Sequence, residues 1–184
     1  MKRKIAFFLA AAVLLFCAFA FSGCNTVQRI ADGLRQSEED SKTANAQGEI
    51  VFECFENRDE ETLKSMFSQP IAAKCNLEDE IKEAFELYHG NAVEYSVGNF
   101  GIDNTYDDGV VTKKDVIVRI RITTDTGEKY SIFVRLYLSW DSQPTNIGIY
   151  SIVMTLLNYE DGVYKYEGDI DRSIGGKKFL DGII

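Results

Sequence analysis

The hydrophobic pattern changes its period part-way along the chain. Ile50, Val51, Cys54 and Phe55 recur at helical spacing. Asn57-Arg58-Asp59 interrupts that run, and Asp59 is placed to cap a second short helix whose apolar stripe is Leu63, Met66 and Phe67, with Pro70 following its end. A third helix is predicted from Leu77 to His89. Asn76 is its N-cap, Glu78, Asp79 and Glu80 suit the positive end of its dipole, and Leu77, Ile81, Ala84, Phe85 and Tyr88 form one face before Gly90 stops it. From Ala92 onward the period drops to two. Ala92 to Phe100 is a candidate strand, and Asp103 to Gly109 is rich in turn formers. Asp115–Thr123 and Lys129–Leu138 then alternate on either side of Asp125-Thr126-Gly127, a three-residue hairpin loop with Gly at the left-handed position.

That loop predicts a register, which the side chains test. It sets Ile122 against Tyr130, Ile120 against Ile132, Val118 against Val134 and Val116 against Leu136. All of these are apolar. The other face pairs Arg121 with Ser131, Arg119 with Phe133 and Ile117 with Arg135. A slip by one residue would put apolar residues opposite the arginine-bearing positions, so this register is favoured. Ile147–Leu157 is a further strand, apolar on both faces, and Tyr159–Tyr166 forms a small hairpin around Asp161-Gly162. Helices followed by antiparallel strands predict an α+β fold, with N-terminal helices packed on a curved antiparallel sheet.

The first 23 residues follow another pattern. Lys2, Arg3 and Lys4 precede an unbroken apolar run from Ile5 to Phe21, and Ser22, Gly23 and Cys24 come next. A basic start, an apolar middle and small residues at the cut describe an export signal. Phe21-Ser22-Gly23-Cys24 resembles the lipobox of bacterial lipoproteins, with Phe21 where Leu is usual. The resemblance implies cleavage between Gly23 and Cys24, and a lipid such as a diacylglycerol or palmitate on Cys24. That tail would anchor the protein to the extracytoplasmic face of the cell membrane. The plainer alternatives are an uncleaved anchor, since a helix over this run would span roughly 25 Å, and a signal without a lipid.

The organisation that follows is a signal peptide over 1–23, a polar tether over 24–44, an α+β domain over 45–160 and a C-terminal extension over 161–184. Lysine and arginine total 20 against 29 acids, a net charge of −9. Three of the basic residues and none of the acids lie within 1–23, so the remainder stands at −12. Such a chain is a poor match for nucleic acid, whose phosphates demand lysine and arginine. Its body would also be repelled by an anionic membrane, leaving the lipid as the tether.

Ile50-Val51-Phe52-Glu53-Cys54-Phe55-Glu56-Asn57-Arg58-Asp59 and Leu63-Lys64-Ser65-Met66-Phe67-Ser68 resemble the opening of small cone-shaped, cystatin-like α+β domains. These belong to the superfamily of nuclear transport factor 2 and ketosteroid isomerase. Pro144-Thr145-Asn146-Ile147-Gly148-Ile149-Tyr150-Ser151-Ile152 resembles uncharacterised clostridial lipoproteins that carry such a domain. In that superfamily fold does not dictate function. An isomerase-type site there would need a carboxylate and a Tyr inside an apolar cone. Tyr88, Tyr95, Tyr130 and Tyr150 are within reach, but the inner face of the predicted hairpin carries no acid, and Glu94 or an acid elsewhere would have to turn inward.

Other chemistry is sparse. His89, the single histidine, is a helix-end residue without an evident partner. Asp103-Asn104-Thr105-Tyr106-Asp107-Asp108-Gly109 alternates carboxylates like a calcium loop, but Asp108 and Lys114 stand where an EF-hand needs Gly and Glu. Neither a metal site nor a cofactor motif is read from the chain. Cys54 and Cys75 are candidates for a disulfide, worth about 3 kcal/mol for a loop of this length; otherwise they are two small buried hydrophobes.

Arg119, Arg121 and Arg135 share one sheet face with Phe133 and Tyr137. They form either a solvated face paired to acids such as Asp115, or a contact surface of the Arg-and-aromatic kind. Taken together, these features predict a lipid-anchored, non-catalytic domain that binds a small ligand or an envelope protein. A small isomerase or hydratase and a self-associating homodimeric module are the alternatives.

Overall fold

A computed structural model describes residues 32–74, 76–160 and 163–174. The lipobox residues Gly23 and Cys24, and Cys75, lie outside the described residues. The chain divides into two compact units, Met1–Asp40 and Ser41–Ile184. In the first, residues 32–40 are helical, and Gln36 Nε2 donates to Asp40 Oδ1 one turn on, at 3.0 Å.

The second unit is an α+β domain. Helix α1 covers 41–57, so residues 41–44, expected in a polar tether, already belong to it, and Ala44 is part of the core. The helix ends where expected. Arg58 takes a left-handed φ of 55°, and Asp59 caps α2 (Glu60–Ser65) by accepting from Thr62 N–H at 3.0 Å. Pro70 does more than follow that helix. It sits in the first turn of another, α3 (Gln69–Lys74), where a missing N–H costs nothing. Helix α4 spans Leu77–Leu87, two residues short of the expected end, and Gly90 beyond it has φ +80°.

Five antiparallel strands follow in simple sequence order: β1 (Ala92–Asp107), β2 (Val110–Thr124), β3 (Lys129–Trp140), β4 (Gly148–Glu160) and β5 (Val163–Ile174). Every pairing expected between β2 and β3 is present. The expected β1 is too short. Asp108 and Gly109 both have positive φ, at 47° and 78°, and make a two-residue hairpin that pairs Asp107 with Val110. Asp103, Asn104 and Thr105 are therefore ladder residues, not a loop. Polar residues are tolerated there because β1 is an edge strand with water at hand. Register shifts interrupt all four strand pairs, and such bulges bend and twist a sheet. Strand β5 likewise extends well past the small hairpin expected at Tyr159–Tyr166.

The core lies between the helices and one face of the sheet. Val51 and Phe55 of α1, Leu63 of α2, and Ile81, Ala84 and Tyr88 on and just after α4 meet Val118, Ile120, Ile132, Val134, Ile152 and Met154. Two glycines set how close the layers come. A Cβ on Gly48 of α1 would lie 2.6 Å from methyls of both Val97 and Val118. Gly148, with φ +118°, lets β4 start against Met66 and Ser68, where a bridge pairs Phe67 with Ile149. The β2–β3 loop is tied to the start of β1, since Asp125 accepts from the backbone and side-chain N–H groups of Asn91 at 3.0 and 3.1 Å.

Candidate functional site

An acid and a tyrosine do meet inside the fold, and both are engaged by neighbouring groups. At the end of α1, Glu56 accepts from the hydroxyl of buried Tyr88 and from Ala92 N–H at 3.1 Å. The Tyr88 ring packs 5.1 Å from Tyr130 and 6.0 Å from Phe55. Arg58 Nη2 donates to Tyr88 O at 2.5 Å and lies over the Phe85 and Tyr88 rings. Tyr130 Oη is engaged by Leu87 O at 3.0 Å, Glu128 Oε2 at 2.9 Å and His89 N–H at 3.0 Å. His89 Nδ1 stands 3.5 Å from Glu128 and its side chain is exposed. The polar atoms of Glu56, Tyr88 and Tyr130 thus hold the ends of α1 and α4 and the start of β1 together, while the His89 imidazole stays exposed. The pair was hard to foresee, because Glu56 is one acid among 29 and nothing in the periodicity marks it.

Burial makes this core sensitive to alkali. Cys54 is a free, buried thiol, and burial, aided by Asp59 and Glu53, pushes it up from 9.0 to about 11. Burial likewise pushes Tyr130 up from 10.0 to about 12, and Tyr88 is raised by burial and by its bond to Glu56. Each folded-state value exceeds the unfolded one, so the folded chain holds these protons more tightly. Their contribution is complete below pH 9 and is lost as pH climbs through 9 to 12. The Tm of the full chain should fall by on the order of 5–10 °C across the first two units of that window. Cys54→Ala should delay the onset by thermal melts followed by circular dichroism. A Tm flat to pH 11 would refute the assignment.

The other face of the sheet carries the arginines, and the structure separates them into two groups. Arg135 is locked to Asp115, which is buried and accepts Nε at 3.1 Å and Nη2 at 2.5 Å. Tyr137 beside it is only 6% exposed, edge-on to Trp140 at 4.8 Å and Tyr150 at 5.8 Å. Lys113 Nζ lies over the Tyr137 and Trp140 rings at 4.7 and 4.6 Å. This end of the face satisfies itself, as the solvated reading of the arginines foresaw for Arg135.

Arg119 and Arg121 differ. They sit two residues apart on β2 and point the same way. Arg119 is half-buried; its Nε donates to Ser131 Oγ at 3.2 Å, and its guanidinium lies over Phe133 at 5.2 Å and Phe100 at 5.9 Å. Arg121 is exposed. Among the described residues neither has a carboxylate within ion-pair distance. Burial, and then the charge of Arg121, lowers the Arg119 pKa below its usual value. The two arginines line a cleft of about 430 Å³ together with Glu94, Ser96, Thr123 and Lys129.

Residues 50–158 match a family model described as a domain of unknown function (DUF5104). The chain belongs to that family. Among curated proteins none matches it. The match spans α1 from Ile50 through most of β4, so the DUF5104 domain contains both the tyrosine–glutamate cluster and the arginine cleft. Among the described residues no helix is long and apolar enough to cross a membrane, and no group of three or more His, Cys, Asp and Glu side chains is placed to hold a metal.

Proposed function

We propose that the chain is a lipid-anchored extracytoplasmic protein whose DUF5104 domain is a non-catalytic binding module, working through the Arg119–Arg121 face. The anchor is supported by Lys2-Arg3-Lys4, the apolar run from Ile5 to Phe21 and the lipobox-like Phe21-Ser22-Gly23-Cys24. A relationship to the nuclear transport factor 2 and ketosteroid isomerase superfamily is in keeping with the order of helices and strands. The observation that carries the binding reading is charge placed against type. In an acidic chain two neighbouring arginines share a cleft without a carboxylate partner among the described residues. Arginine is the side chain best suited to hold an oxyanion or an interface. The enzymatic alternative is weakened by the same geometry, since Glu56 and Tyr88 are spent on each other and on backbone.

The test uses the full chain in cells. A fatty-acid probe should label it, and Cys24→Ala should abolish the label; undiminished labelling would refute the anchor. A photo-reactive residue at position 96, in the cleft, should give an adduct, whereas one at Glu86 on α4 should give none. Equal adducts at both positions, or none at either, would refute the binding face. An adduct with a second copy of the chain would assign the face to self-association instead.

A further inference from the structure

Charged clusters among the described residues of this domain include several that close on themselves and one, at Arg119 and Arg121, that does not. Glu56, Arg58 and Tyr88 close on one another, Arg135 closes on Asp115, and Lys113 fills the space between Tyr137 and Trp140. Arg119 and Arg121 do not close. The Nε of Arg119 is used by Ser131, which fixes the guanidinium plane, and the Phe133 and Phe100 rings hold it from the side. Among the described residues its two Nη groups, and the whole Arg121 guanidinium, have no hydrogen-bonding partner. The two residues thus stand about 7 Å apart along one strand, Arg119 oriented by its contacts and Arg121 exposed.

The surroundings are shaped for a small guest. On β1, Gly98 lies opposite Arg119 and Ser96 opposite Arg121, and on β3 Ser131 lies opposite Arg121. Short side chains therefore flank Arg121 on both sides and Arg119 on the β1 side, and a Cβ added at Gly98 would meet nothing within 4 Å. Ser96 and Thr123 line the same cleft with hydroxyl groups, and Tyr95, Ile122 and Leu157 supply its apolar part.

We propose that the Arg119–Arg121 cleft binds a small molecule carrying a phosphate monoester. This rests on the reading of that face as a binding surface and adds the ligand class. A dianion with several acceptor oxygens neutralises both guanidinium groups and can take N–H donors from each. A carboxylate satisfies one fork and leaves the second charge bare. Glu94 also lines the cleft and disfavours long polyanions that would run past it. The apolar part of the lining favours a guest with an apolar or aromatic body attached to the phosphate.

The full chain in detergent is titrated by calorimetry with phenyl phosphate, inorganic phosphate and benzoate. Phenyl phosphate should bind one per chain, inorganic phosphate more weakly, and benzoate at least tenfold more weakly than phenyl phosphate. Arg119→Gln and Arg121→Gln should each weaken phenyl phosphate at least tenfold without lowering Tm. Gly98→Leu, which fills the open space and leaves both arginines in place, should do the same. Vesicles of phosphatidic acid separate the sources of the phosphate: arginine-dependent pelleting with them would move the site to a lipid headgroup, and no pelleting supports a soluble guest. Benzoate binding as tightly as phenyl phosphate, or phenyl phosphate binding unchanged in the Arg119→Gln/Arg121→Gln double variant, would overturn the proposal. Failure of all three probes while position 96 still gives its adduct in cells would overturn the phosphate class and leave the binding face standing. Failure of both would remove the two together.

Discussion

Gly48→Val is expected to destabilise the domain by about 3 kcal/mol or more, a large share of the 5–15 kcal/mol that holds a typical domain folded. Gly48 lies on the side of α1 that rests on the sheet, and even a methyl group there would come within 2.6 Å of the Val97 and Val118 methyls. Val118 is fully buried on a central strand and has nowhere to retreat, so the helix must lift and open the layer beneath it. Gly48→Ala should fall between, because the better helix propensity of alanine, about 1 kcal/mol, offsets part of the clash. Gly33 is the control. It too is helical, but nothing lies within 4 Å of its added Cβ, and Gly33→Ala should be neutral or slightly stabilising. Urea midpoints report all three. An unchanged midpoint for Gly48→Val would mean that α1 does not approach the sheet this closely.

The second large effect is at Tyr88. Tyr88→Ala should cost about 3–5 kcal/mol. It removes a buried ring packed on Phe55 and Tyr130, and it strips Glu56 of its phenolic donor. Tyr88→Phe keeps the packing and loses the donor alone, while Glu56 retains Ala92 N–H at 3.1 Å, so it should cost about 1–2 kcal/mol. The ratio between the two variants separates packing from hydrogen bonding. Equal losses would show that the carboxylate contact dominates, and a near-silent Tyr88→Ala would show that the cluster is not structural. The contacts of both side chains account for a structural role of this tyrosine–glutamate pair. Their polar atoms join the end of α1, the end of α4 and the start of β1.

The arginine face shows how a sequence pattern and a tertiary contact divide the work. Alternation placed Arg119, Arg121 and Arg135 on one side of the sheet, because a strand has a strict period of two. It did not distinguish them. Asp115 shares the strand with Arg119 and Arg121, yet across the ladder it lies opposite Tyr137 and reaches the diagonal Arg135 on β3, and the side-chain contact decides which arginine it neutralises. The two that remain open are the ones whose cross-strand neighbours are Gly98, Ser96, Ser131 and Phe133, none of them an acid.

Several features were determined by the sequence itself. The α+β order, the cap at Asp59 and the β2–β3 register all depend on local spacing or on a short loop, where the physics acts within a few residues. The Asp108-Gly109 hairpin was equally legible as a turn signal, but the polar residues around it masked the length of the strands it joins. The tertiary structure alone decided the rest: that Gly48 is a contact point, that Glu56 belongs to Tyr88, that Pro70 opens a helix, and that one arginine is paired while two are not. Each depends on which residues distant in sequence meet in space. Packing and electrostatics act through that distance, and periodicity along the chain does not encode it.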